Sequence, residues 1–466
     1  MLRIFKQYYP VRNLFFVIGE GLAIVASVVL ASWILLESES FQLNRWYYFK
    51  IFLIAFVCQI CLYYNDLYDF KATDSFLELG IRLFQAIGAA AILLSGIYLI
   101  FPEAIIGRHV FIVSVGFVIL LIISWRVCYK TVLKYGVFDE KIILIGSGDL
   151  AQNILNEIDD NKDCGYKIAV NVQEGQNSPE YLDKNSSAAT IFKAGFDGLC
   201  DMAKELKIGK IVVALAEKRG TFPTKELLKC RVDGIDIIEG TSFYEMLAGK
   251  LIVEQINPGW LIFSEGFRKS RLKHFFKRAT DLALSVALLI LIVPVIILVA
   301  ILIKIDSKGP VFFSQERIGK NKKTYMVYKF RSMVEEAEKQ SGPVWAKDND
   351  KRVTRIGKVI RKWRVDETPQ LWNVLKGEMS FVGPRPEREF FVNKLEDVIP
   401  YFGERFSVKP GITGWAQVSY GYGSSVEDAI EKLNYDLFYI KNMSIFMDFM
   451  IALKTIKIVL FGKGAR

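Results

Sequence analysis

The chain has 466 residues, with 60 Lys and Arg against 50 Asp and Glu, and a net charge of +10 at pH 7. Hydrophobic residues make up 52%, more than a soluble chain of this length usually carries, and the length suffices for two or three domains with their own cores. The cationic surplus selects anionic partners; with this hydropathy, those are lipid and phosphorylated substrates rather than nucleic acid. Cys58 and Cys61 form a C-x-x-C, but inside an apolar run, with no second pair and only two histidines in the chain. Helix packing is therefore expected there rather than zinc or redox chemistry. No cleavable signal peptide is expected, because the first apolar run is too long and lacks a small-residue cleavage site.

Four apolar stretches come first, over 14–36, 49–64, 79–101 and 110–123. Most approach the ~20 residues that span hydrocarbon; the second and fourth do so only with their flanks. Arg3, Lys6 and Arg12 precede the first, and Arg126, Lys130 and Lys134 follow the fourth, whereas the first and third connections are poor in cations. The positive-inside bias then predicts four transmembrane α-helices over 1–136 with both ends cytoplasmic. Glu20 lies within the first; a carboxylate there is expected to bond a neighbouring helix or sit near the interface.

A soluble α/β segment is predicted over 137–258. Lys141-Ile-Ile-Leu-Ile145 reads as a buried strand, Gly146-Ser-Gly-Asp-Leu-Ala151 as a tight turn, and 152–158 as a helix. This G-x-G-x-x-A in strand–turn–helix context predicts a Rossmann-like domain. Further strands over 210–215 and 235–238 agree. No acid suited to a ribose stands at the end of the second strand, read as 166–172, so a structural or nucleotide-sensing role is expected rather than tightly bound NAD.

The last part, 259–466, opens on cations and a fifth apolar run, 282–303. Lys277 and Arg278 flank one end and Lys304 the other, so charge favours neither side. Pro294 stands at its centre, where it removes a helix hydrogen bond. A helix–break–helix over 279–303 that enters and leaves one leaflet is expected, with Lys277, Arg278 and Asp281 as a charged cluster at the membrane interface. Further on, 353–363 alternates Val353, Ile356, Ile360 and Trp363 with Arg355, Lys358, Arg361 and Lys362. That pattern suits either a headgroup surface or a helix on the domain core.

Several blocks of this last part carry a resemblance. They are Lys277-Arg-Ala-Thr-Asp281, Pro294, Asp306-Ser-Lys-Gly-Pro-Val-Phe-Phe-Ser-Gln-Glu-Arg-Ile-Gly319, Lys329-Phe-Arg-Ser-Met333, the run from Arg364 to Ser380, Phe381-Val-Gly-Pro-Arg-Pro386 and Lys409-Pro-Gly-Ile-Thr-Gly-Trp-Ala-Gln417. In this order they resemble the bacterial sugar transferases, the monotopic phosphoglycosyl transferases, in their long form with four spans and a dinucleotide-like domain. From the residues alone, Asp366 and Glu367 are adjacent carboxylates among Arg352, Arg355, Lys358, Arg361, Lys362 and Arg364. A carboxylate can attack phosphorus, and such cations favour ionised carboxylates and attract a diphosphate.

The resemblance implies a mainly α-helical monotopic catalytic domain on the cytoplasmic face of the bacterial inner membrane. It implies transfer of a hexose-1-phosphate from a UDP-sugar to undecaprenyl phosphate, UDP-glucose or UDP-galactose being favoured and an N-acetylated hexosamine next. Asp366 would be the nucleophile of a covalent aspartyl-phosphosugar, with UMP leaving and Glu367 holding Mg²⁺. Arg385, Arg361, Lys329, Arg331 and Lys409 would meet substrate phosphate. This would be the first membrane step of exopolysaccharide or O-antigen repeat-unit synthesis, with no nucleic-acid partner and self-association left open. Two departures stand out: Lys409 replaces the arginine of many members, losing a bidentate grip, and Val293 replaces the serine before Pro294.

A membrane-bound NAD-dependent nucleotide-sugar dehydratase is the alternative. It needs a tyrosine and a lysine four apart on a helix, and Tyr325-Met-Val-Tyr-Lys329 has the spacing. However, 324–330 alternates like a strand, where residues four apart lie roughly 13 Å from each other. A non-catalytic membrane scaffold is opposed by the intact Asp366, Glu367 and Arg385.

Overall fold

The computed structural model describes residues 2–4, 7–9, 11–35, 45–68, 75–134, 139–161, 164–174, 189–193, 196, 198–215, 222–256, 266–267, 270–334, 352–421, 423 and 425–461. Lys6 and the expected boundary at 258/259 lie outside them. A short antiparallel ribbon, β1 (Leu2–Ile4) and β2 (Gln7–Tyr9), precedes four long helices: α1 (Val11–Leu35), α2 (Arg45–Tyr64), α3 (Phe76–Ile100) and α4 (Arg108–Lys134). All four are long and apolar enough to cross a membrane. The aromatic flank of α2 is helical, and α4 continues well past residue 123. Ile24, Val28, Ile51, Leu83, Leu94 and Ile122 fill the bundle, while Leu22, Phe52, Ile92 and Ile112 face outward. Gly19 lets Trp125 press onto α1: a Cβ there would sit 2.0 Å from the indole.

Arg126, which the sequence suggests as a flank beyond the fourth span, is instead buried inside α4. Its Nε donates to Glu20 Oε1 at 2.6 Å and its Nη1 to the Leu67 carbonyl at 3.0 Å. Glu20 is fully buried. Each charge compensates the other in a medium where either alone would be costly, so the pair fixes α1 against α4. Cys58 and Cys61 lie within α2, Cys61 buried in the bundle core and Cys58 packed against it.

The α/β domain follows as β3 (Glu140–Ile145), α5 (Asp149–Asp160), β4 (Tyr166–Glu174), β5 (Ala189–Lys193), α6 (Leu199–Glu205), β6 (Lys210–Val213), α7 (Thr224–Val232), β7 (Asp236–Glu239) and α8 (Gly240–Ala248). The five strands are parallel in the order β5-β4-β3-β6-β7, the doubly wound order 3-2-1-4-5. Strand period explains the layering. Ile142 and Leu144 pack one face against α5 and α8, and Ile143 and Ile145 the other against α6 and α7. Gly146 has φ +140°, and a Cβ there would meet the Ala214 carbonyl at 2.3 Å, so the turn after β3 requires glycine. The second strand runs two residues past its expected end and closes on an acid, Glu174.

The C-terminal part is not separated from this domain where the composition changes. Leu251, Val253 and Ile256 are buried in one core with Phe391, Leu395, Phe402, Leu433, Leu437 and Ile440. Asn434 fixes them, its carbonyl accepting from the Leu251 amide and its Oδ1 from the Val253 amide. Glu245 on α8 accepts from Lys441 at 2.6 Å and Asn442 at 2.9 Å, and Lys250 pairs with Glu431 at 2.5 Å. Residues 251–256 therefore belong to the C-terminal body.

The first long element of that body is α9 (Arg271–Asp306), a 36-residue helix with Pro294 inside it, capped by Ser270 and longer than the expected 279–303. The expected break into two helices at Pro294 does not occur: the helical run continues through it, because the proline removes one backbone hydrogen bond without ending the helix. An antiparallel hairpin, β8 (Phe312–Ile318) and β9 (Thr324–Phe330), leads to α10 (Arg355–Lys362), a 3₁₀ turn over Val365–Glu367, and α11 (Gln370–Lys376). The chain continues through β10 (Ser380–Val382), α12 (Glu389–Glu396), β11 (Gly411–Thr413), α13 (Trp415–Ser419), α14 (Val426–Asn442) and α15 (Ile445–Phe461), with β10 and β11 parallel. Lys457 on α15 pairs with Asp66 and donates to the Tyr63 carbonyl at 3.1 Å, joining this body to the α2–α3 connection.

Candidate active site

Asp366 and Glu367 lie on the short 3₁₀ turn between α10 and α11. Thr354 caps α10, its Oγ1 accepting from the Gly357 amide at 2.9 Å. Arg364 ends the helix in a left-handed conformation, φ +52°, which costs a non-glycine residue about 1–3 kcal/mol. That reversal swings the two carboxylates off the helix axis. Pro369 then starts α11 without an amide to satisfy.

Glu367 is 8% exposed, and its Oε1 accepts from Lys329 Nζ at 2.8 Å and Arg385 Nη2 at 3.0 Å; Arg364 approaches Oε2 at 3.9 Å. β9 supplies Lys329, and the Gly-Pro-Arg-Pro loop supplies Arg385, whose Nη1 also donates to Gln417 Oε1 at 3.1 Å. Burial by itself would raise the Glu367 pKa, but Lys329 and Arg385 outweigh it and hold the carboxyl well below the usual range. Asp366 goes the other way. Burial first, then the Glu367 charge, push it up to about 6 against Lys329, Arg361 and Arg385. The cations favour ionisation of both carboxylates, but they outweigh burial only at Glu367, which they bond directly. The sequence points to 352–364 as their source, yet the two that touch Glu367 most closely come from β9 and the 385 loop.

Arg361 acts on Asp366 through space and makes no hydrogen bond to it. Arg331 does not join this network: its Nη2 donates to the Ser307 carbonyl at 2.8 Å and Ser307 Oγ at 2.9 Å, fastening the end of α9. Lys409 sits with Lys277, Arg278 and Lys320, where burial and those like charges lower its pKa and Asp281 opposes them.

The expected interface cluster is largely internal. Asp281 is 4% exposed; its Oδ2 lies 2.8 Å from Ser380 Oγ, and its Oδ1 accepts from the Phe381 amide at 3.1 Å. Lys277 bridges Asp281 at 3.3 Å and Asp448 at 2.9 Å. Arg278 donates to the Val374 and Leu375 carbonyls at 2.5 and 2.9 Å, capping α11 rather than pairing with Asp281. These three residues clamp α9 onto the β10 strand and the helix that follows Asp366. On α10, Ile360 is buried against Val299, Ile303 and Phe330, with Ile356 packed alongside, while Val359 and Trp363 are exposed beside Lys358 and Lys362.

Three contributors were not singled out from the sequence: Gln417, which closes the last motif block, and Arg405 and Asp436, which lie outside every block. Arg405 Nη2 holds the Arg385 carbonyl at 3.1 Å and Asp436 at 2.9 Å, fixing the loop that aims Arg385. Tyr325 and Lys329 lie on a strand, and Lys329 is committed to Glu367, so they do not form a dehydratase pair.

No cluster of three or more His, Cys, Asp or Glu able to hold a metal occurs among the described residues. Glu367 Oε1 is taken by two cations. Its Oε2 and the Asp366 carboxylate are the oxygen donors left, of the kind Mg²⁺ accepts when phosphates and water complete its shell.

A family model described as bacterial sugar transferase matches residues 272–462. The chain is 42% identical over 240 residues to the UDP-N-acetylgalactosamine-undecaprenyl-phosphate N-acetylgalactosaminephosphotransferase of Aeromonas hydrophila, covering 52% of this chain and 56% of the relative, so the match spans about half of that protein. It is 29% identical over 388 residues to the undecaprenyl-phosphate galactose phosphotransferase of Salmonella typhimurium, covering 77% and 76%. It is 42% identical over 194 residues to an exopolysaccharide production protein of Rhizobium leguminosarum bv. phaseoli, covering 40% of this chain and 97% of the relative. All the matched blocks of residues 277–417 fall inside the family region, around the carboxylate pair. This chain belongs to the bacterial sugar transferase family.

Proposed function

We propose that this protein transfers a hexose- or N-acetylhexosamine-1-phosphate from a UDP-sugar to undecaprenyl phosphate, at the cytoplasmic face of the inner membrane, as the first membrane step of repeat-unit synthesis. The observation that carries the reading is the carboxylate pair with divided roles: Glu367 ionised between Lys329 and Arg385, and Asp366 beside it without a direct cationic partner among the described residues. The Asp366 carboxylate attacks the sugar-bearing phosphorus, the bond to the bridging oxygen breaks, and UMP leaves with that oxygen. The carrier phosphate oxygen then attacks the same phosphorus and frees Asp366. Arg385 and Lys329 stabilise the charge that builds on phosphate oxygens, in a cluster already organised around Glu367. Glu367 Oε2 and Asp366 would hold Mg²⁺, which supplies charge neutralisation at the diphosphate when bound. The named relatives use different sugars, so the test is a panel of UDP-sugars, with UMP release measured against added undecaprenyl phosphate. No release with any of them would overturn the reading.

The raised pKa of Asp366 gives a pH profile. The group is protonated below about pH 6 and ionised above it. An acid attacks phosphorus poorly, so kcat/KM should fall about tenfold per pH unit below that point. A profile flat from pH 5 to 7 would remove Asp366 from the nucleophile role.

The membrane reading has α9 entering and leaving one leaflet. Its support is tertiary. Glu245 and Lys250 precede α9, and their partners Lys441 and Glu431 follow it. Trp415 Nε1 likewise donates to the Gly249 carbonyl at 2.8 Å. A membrane-crossing α9 would put these partners on opposite sides. The Lys457–Asp66 pair, which joins α15 to the α2–α3 connection, supports the same reading, since four spans with cytoplasmic ends would put that connection on the catalytic side. Single cysteines near Lys277 and Lys304 should therefore both label only after the cytoplasmic face is opened. Labelling near Lys304 in intact cells means a fifth span.

A further inference from the structure

Arg317 stands near the end of β8 with its charge poorly compensated. Its Nη1 donates to the Pro386 carbonyl at 3.2 Å and its Nη2 to Gln315 Oε1 at 2.7 Å, both neutral acceptors. None of the ion pairs among the described residues involves it. Burial lowers its pKa, with Glu387 opposing and the Arg385 and Arg388 charges adding to the burial. A guanidinium withdrawn from water without a carboxylate is costly, and an anionic ligand would offset that cost.

A cavity of about 420 Å³ opens beside it, between β8 and the start of α12. That is within the size range of small-molecule pockets, about 300–1,000 Å³. Phe313 and Phe390, 45% and 57% exposed, stand on its walls, with Glu316, Glu389 and Arg388. The cavity is tied to the reactive centre through the Gly-Pro-Arg-Pro loop: Arg317 donates to the Pro386 carbonyl, and Pro386 follows Arg385, which bonds Glu367.

We propose that this cavity is the subsite for the nucleoside phosphate of the donor, with Arg317 on the phosphate that leaves with the nucleoside and Phe313 and Phe390 against the base. The inference rests on the transferase reading. An aromatic face suits a base, and a guanidinium fork suits a phosphate. The wall carboxylates, Glu316 and Glu389, suit a ligand that brings hydroxyl and N–H donors and disfavour a bare polyanion. A lipid phosphate has no base to place between the phenylalanines. The subsite would hold UMP while Asp366 carries the sugar phosphate.

The experiment is direct titration of the full-length protein in nanodiscs with UMP, with inorganic pyrophosphate and with undecaprenyl phosphate. Arg317→Gln and Phe390→Ala should each weaken UMP binding about tenfold. Phe390→Ala, at an exposed position that does not threaten folding, should leave pyrophosphate binding unchanged. The KM for undecaprenyl phosphate should not move in either. UMP affinity within twofold of wild type in both variants overturns the subsite. UMP binding that depends on Arg317 in a protein that transfers no sugar keeps the subsite and sinks the transferase reading. Transfer with UMP affinity indifferent to both substitutions does the reverse.

Discussion

Asp366→Asn should abolish sugar-phosphate transfer, with a loss of about 10³-fold or more, since it removes the group proposed to attack and not an auxiliary one. The amide has nearly the same shape, and Asp366 makes no direct ion pair among the described residues, so the fold should survive. Thermal unfolding in detergent, compared with wild type, checks that. A denaturing gel after incubation with radiolabelled UDP-sugar, without acceptor, checks the chemistry: wild type should retain label and the variant should not. Label on the variant, or turnover within tenfold of wild type, would place the nucleophile elsewhere.

Glu367→Gln should have a second large effect of a different kind. Glu367 is the carboxylate that Lys329 and Arg385 share, at 2.8 and 3.0 Å. Without its charge, Lys329 and Arg385 lose the carboxylate that holds them together, and the site loses stability. Lys329 and Arg385 should relax apart, and transfer should fall about 10²-fold or more as the phosphate site loses its geometry. The pH profile carries the diagnostic. Burial and the Glu367 charge together raise Asp366, so removing that charge should shift the acid limb of kcat/KM downward from about 6. An unchanged acid limb would mean the two carboxylates are not coupled. If Mg²⁺ dependence is also unchanged, Glu367 is not a metal ligand.

The carboxylate pair was legible because adjacent acids in a long cationic segment are unusual, and the surrounding blocks kept their order. The strand reading of 324–330 was legible from its period-2 alternation, and it matters: it aims Lys329 at Glu367 and removes the dehydratase alternative. The α/β domain was legible from one buried strand and its glycine turn. Arg331 was not placed, since a cation in a motif does not reveal whether it meets substrate or fastens a helix end. Nor was Arg126: beyond an apolar run it looks like a positive-inside flank, and only the position of Glu20 one helix away turns it inward.

The sequence by itself determined the apolar lengths, the strand and helix periods and the motif order, because these depend on residues near each other in the chain. Three matters were decided only by tertiary structure. Glu367 is held low and Asp366 raised, because Lys329 and Arg385, from segments 38 and 18 residues away, hydrogen-bond Glu367 alone of the two, while burial outweighs their pull on Asp366. Residues 251–256 join the C-terminal core, because Asn434 and the α14 side chains close over them. Contacts also join residues before α9 to residues after it, and the proposed sidedness of that helix rests on them. Local hydropathy scores a segment's affinity for lipid, but it carries no information about where the two ends of that segment must meet.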